Sequence, residues 1–176
     1  DDYIVISSQQ TLSSEHQVIP AKSPTSAPRM FLPREKNHEH AIAHDKNRWL
    51  IRTNWDAKNF RVMSTSLEGS ADKSQWKDIV PASKEVFVRG VDAFKDFVVV
   101  EERRGGLPGL RIIPKDGTDA WSLEFDEPVY AARLGTNHEY NATSIRYGYT
   151  SLTTPRSVFD YDTKSKKSTL RKEDPV

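Results

Sequence analysis

The sequence predicts an all-β fold, a β-propeller fragment with three complete four-stranded blades and most of a fourth, and three observations carry that reading. The first is a repeat. Residues 2–8 (DYIVISS), 48–54 (RWLIRTN), 96–102 (DFVVVEE) and 144–150 (SIRYGYT) align so that Tyr3, Trp49, Phe97 and Ile145 share one column, at spacings of about 46 to 48 residues. Val5, Ile51, Val99 and Tyr147 share another. A repeat of this size built from short strand-like runs points to propeller blades. The second observation is the lack of any window of a dozen or more residues with apolar positions at helical spacing. The third is the punctuation: β-branched and aromatic runs are bounded by Ser, Asn, Asp, Gly and Pro, which form turns.

Taken in order, the first blade (1–35) is incomplete. Its strands are expected at 2–8, 15–20 and 29–33, with no strand-like segment ahead of the repeated one. Residues 21–28 (AKSPTSAP) have a linker-like composition, but their place in the repeat makes them a connection between neighbouring strands. The second blade (38–81) has candidate strands at 40–44, 48–54, 59–66 and 75–80. The third (84–127) has them at 85–91, 96–102, 109–114 and 121–125, with Trp121 matching Trp76 of the second blade. The fourth (128–172) has them at 129–134, 144–150, 157–162 and 169–171. In each complete blade the order runs from the innermost strand to the outermost.

At 176 residues the chain is long enough for one ordinary core. Lysine plus arginine (26) nearly cancels aspartate plus glutamate (25), so no long-range field favours nucleic acid or an anionic membrane as partner. There is no cysteine, which removes disulfides, thiolate metal sites and cysteine nucleophiles. No apolar run approaches the roughly 20 residues needed to span a bilayer as a helix. The first residues already read as a strand, so any signal peptide is expected to lie upstream.

Catalytic motifs are missing from these residues. No G-x-S-x-G nucleophile elbow occurs, and the glycines of RRGGLPG (103–109) lie between two strands, where they suit a tight turn better than a phosphate cradle opening a helix. His38, His40 and His44 share one face of an extended strand, a disposition open to a metal. A wet inner strand accounts for them better, because Glu39 and Asp45 face away and His138 sits in an unrelated loop. No metal and no other cofactor is therefore expected. Glu101 and Glu102, followed by Arg103 and Arg104, mark a charged strand end that serves either a partner domain or the solvent.

Several stretches together closely resemble one family: FLPRE..HEH (31–40), TN...KNFRV (53–62), W.DIVP (76–81), VVVEERRGGLPGLR (98–111), F.EPVY (125–130), RYGYTSLTTP (146–155) and FDYD (159–162). The chain resembles the oligopeptidase B (protease II) group of the prolyl oligopeptidase family of serine peptidases along essentially its whole length. It departs at His40, where the family more often has tyrosine. The resemblance implies a seven-bladed propeller, of which this chain is about half, capping an α/β-hydrolase domain that carries the serine, aspartate and histidine and lies C-terminal to these residues. It further implies cleavage of short peptides after Arg or Lys, with the propeller as a gate that excludes folded proteins, and no activity for the propeller alone. The bacterial cytoplasm is the expected location.

The turns between second and third strands and the links between blades fall on one face, which the resemblance assigns to the hydrolase domain. That face comprises residues 7–14, 34–40, 54–59, 101–108 and 151–155. Arg34, Lys58, Glu101, Glu102 and Arg103 are its candidates for interdomain ion pairs or for steering a cationic peptide. The expected partners are the hydrolase domain of the same polypeptide, short peptides and, through an open blade edge, a second copy of the chain. A non-enzymatic propeller that binds proteins through its face is the alternative function.

Overall fold

The computed structural model describes residues 2–175. The elements are β1 (Tyr3–Gln10), β2 (Ser13–Pro20), β3 (Arg29–Leu32), β4 (His40–Asp45), β5 (Arg48–Thr53), β6 (Arg61–Ser66), a 3-10 turn (Lys73–Gln75), β7 (Lys77–Val80), β8 (Val86–Ala93), β9 (Phe97–Arg104), β10 (Leu107–Pro114), β11 (Trp121–Ser122), β12 (Tyr130–Leu134), β13 (Ser144–Ser151), β14 (Ser157–Asp162) and β15 (Lys167–Glu173). They form four antiparallel meanders: β1-β2-β3, β4-β5-β6-β7, β8-β9-β10-β11 and β12-β13-β14-β15. Every sheet is built by pairing consecutive strands, the pattern of a propeller blade. Among the described residues there is no α-helix, and no helix long and apolar enough to cross a membrane.

The chain divides into two compact units, one ending at Lys84 and the other beginning at Glu85. In the first unit, Val18, Phe31, Leu32, Trp49, Ile51, Met63 and Trp76 form a buried cluster from two sheets. Trp49 is fully buried, with its ring edge-on to Phe31 at 5.4 Å. This is the arrangement in which a ring's positive edge meets its neighbour's negative face. In the second unit the cluster comprises Phe94, Phe97, Val99, Leu110, Ile112, Leu123, Ala132, Ile145, Tyr147, Tyr149 and Tyr161. The aligned columns of the repeat therefore point inward: Trp49, Phe97 and Ile145 are all buried, as are Ile51, Val99 and Tyr147. The corresponding strand β1 differs, with Ile4, Val5 and Ile6 about 40% exposed along an edge that pairs only with β2.

Several boundaries move, each for a local reason. Gln75 belongs to the 3-10 turn, whose cap Asp72 accepts from Ser74 N at 2.9 Å, so the outer strand starts at Lys77. The outer strand at Trp121 lasts only two residues. Beyond it Phe125 leaves the sheet to pack on Tyr130, with ring centroids 4.7 Å apart. The last strand is longer than expected, because Asp162 organises its turn by accepting from the backbone of Lys164 and Ser165. Residues 21–28 connect β2 to β3 of one sheet, as their place in the repeat suggested. In RRGGLPG, Arg104 pairs with Leu107 across Gly105 and Gly106, with φ of 56° and 87°. Two consecutive positive φ values make a type I′ hairpin, which is why two glycines stand there.

Candidate functional site

The β9–β10 hairpin carries three of the five candidate residues, and strand alternation sends them different ways. The Glu102 side chain is buried and lies 3.2 Å from Arg111 Nη2 on the adjacent strand. Glu101 Oε2 accepts a hydrogen bond from Leu134 N at 3.2 Å. A Cβ at residue 90 would stand 3.1 Å from Glu101 Oε1, so Gly90 leaves room for that carboxylate. Both acids are thus committed inside their own unit, one to a guanidinium and one to a backbone amide. Arg103, one residue on, is exposed.

Arg103 looks into a groove of about 630 Å³ whose lining includes Arg89, Arg133, Arg156, Gly106, Pro108, Tyr130, Gly148 and Tyr149. Its arginines come from different elements. On β8 the register with β9 shifts between Val88 and Gly90, leaving Arg89 as the extra residue of a β-bulge, a device that re-aims a side chain. Arg133 on β12 lies opposite Gly148 on β13. Arg156 immediately precedes β14. All four arginines are exposed. One wall is rigid: Tyr149 stacks on Phe125 at 5.2 Å and on Tyr130 at 5.7 Å. The carboxylate of Glu127 is held down to about 2 by hydrogen bonds from the side chains of Ser151, Thr154 and Thr153. Thr153 Oγ1 and Thr154 Oγ1 donate to it at 2.7 and 2.6 Å.

The other two candidates belong to the first unit. Arg34 donates to Ser13 Oγ at 3.3 Å and Ser8 O at 3.1 Å, and lies 3.5 Å from Glu15 Oε1. It ties the link after β3 to the β1–β2 hairpin. Lys58 is exposed on a turn entered through Asp56 (φ 48°) and left through Phe60 (φ 62°). It borders a cavity of about 630 Å³ together with Asp56, Asn59, Ser83 and Lys84.

The histidines separate. His40 and His44 share a face of β4, but at about 3.3 Å per residue they are too far apart to share one metal ion. His44 packs against Tyr3 and Trp49, with centroids 4.9 and 5.2 Å away. His38 and His40 do meet, at 4.9 Å, and are joined by His16, 4.7 Å from His40. Among the described residues no group of three or more His, Cys, Asp or Glu could hold a metal. The cluster is hydrogen-bonded instead: Ser14 Oγ lies 3.2 Å from His40 Nδ1, accepts from His40 N and donates to His40 O, while His38 Nε2 lies 2.8 Å from Thr53 Oγ1. Desolvation drives the His40 imidazole down to about 3 and lowers His16 and His38 as well, which keeps all three neutral near pH 7.

Sequence reasoning missed His16, Arg89, Arg133 and Arg156. The Arg-Gly pair at 89–90 within a strand pattern was the available signal for a bulge. Arg156 stands one residue past the expected 151–155 turn.

The family model for the N-terminal β-propeller domain of prolyl oligopeptidase matches residues 1–174. Dipeptidyl aminopeptidase BI from Pseudoxanthomonas mexicana is 38% identical over 177 residues, covering 100% of this chain and 24% of that protein. Protease 2 from Moraxella lacunata is 26% identical over 157 residues, covering 89% of this chain and 22% of that protein. Among solved structures, oligopeptidase B from Trypanosoma brucei with covalently bound antipain, in its closed form, matches with a TM-score of 0.89 at 26% identity, over 99% of this chain and 26% of that one. The chain spans about a quarter of the length of these relatives. It belongs to the prolyl oligopeptidase family, as part of the N-terminal β-propeller domain.

Proposed function

We propose that this chain is the gating, size-selecting portion of a serine oligopeptidase that cleaves short peptides after basic residues, and that it is inactive alone. The observation that carries the proposal is the family match along residues 1–174, in a chain that spans only a quarter of relatives named as peptidases. In that enzyme a serine on the hydrolase domain attacks the peptide carbonyl with histidine as general base. The propeller admits flexible peptides on domain opening and blocks folded proteins.

Lys58 is the proposed contact to the hydrolase domain, since it is exposed and has no carboxylate partner among the described residues, while Arg103 is exposed in the arginine-lined groove of the second unit. Arg34, Glu101 and Glu102 support that face from within, holding its hairpins through Ser8, Leu134 and Arg111. Taken alone, the chain is proposed to self-associate through β1, where Ile4, Val5 and Ile6 are exposed on an edge strand. A stable monomer in light scattering at high concentration would contradict this.

A second reading of specificity has its own support: a relative at 38% identity is named a dipeptidyl aminopeptidase. Hydrolysis by the full-length protein separates the two. An internally arginine-containing reporter cleaved after arginine supports the endopeptidase reading, whereas release of N-terminal dipeptides alone supports the other. If the reading frame beyond Val176 encodes no G-x-S-x-G serine with later aspartate and histidine, both peptidase readings fail.

A further inference from the structure

The second unit contains eight arginines. Four are tied to carboxylates: Arg104 to Glu85 at 3.7 Å, Arg111 to Glu102 at 3.2 Å, and Arg146 and Arg171 both to Asp160 at 2.8 Å. Arg89, Arg103, Arg133 and Arg156 have no carboxylate partner among the described residues, and these four line one groove. We propose that this groove binds the carboxylates of a short acidic peptide.

Four guanidiniums converging on one concavity repel one another, and an anion between them relieves that repulsion. Among the described residues no carboxylate lies within ion-pair distance of these four. Glu101 accepts from Leu134 N, Glu102 pairs with Arg111, and Glu127 is occupied by threonine hydroxyls. Planar guanidinium forks match carboxylates in bidentate fashion and are less strongly hydrated than ammonium groups, so they suit exchange of water for an anionic ligand. The volume of about 630 Å³ exceeds what a single small oxyanion fills and suits several residues of extended chain. Its shape supports a peptide too. Gly148 leaves the floor open, since a Cβ there would meet nothing nearer than Ser157 O at 3.9 Å, and stacked Tyr130 and Tyr149 supply a flat wall. The choice of a peptide as ligand rests on the peptidase assignment proposed above; the anion preference rests on the groove alone.

The test is fluorescence anisotropy of the full-length protein with a fluorescein-labelled hexapeptide rich in glutamate, against its glutamine counterpart. The glutamate peptide is expected to bind about tenfold more tightly at low ionic strength, with the advantage shrinking as sodium chloride is added. Arg89→Gln combined with Arg133→Gln is expected to lower its affinity about tenfold, while Arg104→Gln, on the β9–β10 hairpin but paired with Glu85, leaves it unchanged. Equal binding of the two peptides, or no effect of the double substitution, overturns the proposal. So does displacement of the labelled peptide by inorganic phosphate at the same concentration as by unlabelled peptide, which would mark a small-oxyanion site. An enlarged radius of gyration in the double variant with peptide binding intact would assign the arginines to holding a neighbouring domain, and also overturns it. Hydrolysis of the arginine reporter is scored separately, so a failed peptidase assignment and a failed groove are told apart.

Discussion

The imidazole cluster of the first unit and the arginine groove of the second each gather nitrogen bases able to carry positive charge, and they treat that charge in opposite ways. His16, His38 and His40 are buried with neighbouring ring centroids under 5 Å apart, His40 lies against Ser14 and His38 against Thr53, and desolvation keeps all three uncharged. Arg89, Arg103, Arg133 and Arg156 are exposed and have no carboxylate partner among the described residues, and an arginine stays protonated throughout the ordinary pH range. A basic cluster held neutral by burial belongs to the core; one left open to solvent is free to recognise something else. The comparison can be broken at either end.

The largest effect is expected from acid. The folded-state pKa of His40 lies at about 3 against 6.5 in the unfolded chain, so the unfolded chain takes up the proton first. Stability is therefore complete above about pH 6.5 and is lost as pH falls toward 3, by on the order of 4 kcal/mol from His40, with His16 and His38 acting in the same direction. Urea unfolding between pH 7 and pH 4 measures it, and His40→Tyr, which removes the titrating group, is expected to flatten the slope.

Next in size is the buried pair of the second unit. Glu102→Gln leaves Arg111 uncompensated and is expected to cost about 2 kcal/mol by the same unfolding measurement. That is less than the roughly 3 to 5 kcal/mol of a fully buried pair, because the Arg111 side chain is 27% exposed. The Arg89→Gln and Arg133→Gln double substitution follows, at about 1.4 kcal/mol of peptide affinity for the tenfold loss, with little change in stability. The smallest effect is expected at Asp160, whose partners Arg146 and Arg171 are 53% and 54% exposed. Asp160→Asn should shift the unfolding midpoint by less than about 1 kcal/mol in free-energy terms.

Much of the architecture was legible in the sequence because it is periodic. The columns headed by Trp49 and Ile51 recur at a fixed interval and are buried wherever a full sheet surrounds them, and the Gly105-Gly106 hairpin announces itself by residue type. The functional surface was less legible. His38 and His40 are close in sequence, but His16 reaches them only because β2 and β4 belong to adjacent packed sheets. Alternation correctly placed His44 on the His40 face, yet the rise of a strand carries it to Tyr3 and Trp49. The charges at 101–103 lie together on one hairpin, but which of them is free depends on Leu134 and Arg111, partners that local sequence does not reveal. Arg89 enters the groove through a one-residue register shift, and Arg133 and Arg156 through the apposition of neighbouring strands.

The measurement that tests the contrast most directly is hydrogen exchange of the full-length protein, followed by mass spectrometry, with and without the glutamate-rich peptide at pH 7. Slowed exchange is expected in residues 86–93, 103–108 and 130–134, which carry Arg89, Arg103 and Arg133, with no change in residues 38–53 around the neutral imidazoles. Protection centred on 38–53, or no protection in any of these segments at saturating peptide, would contradict it.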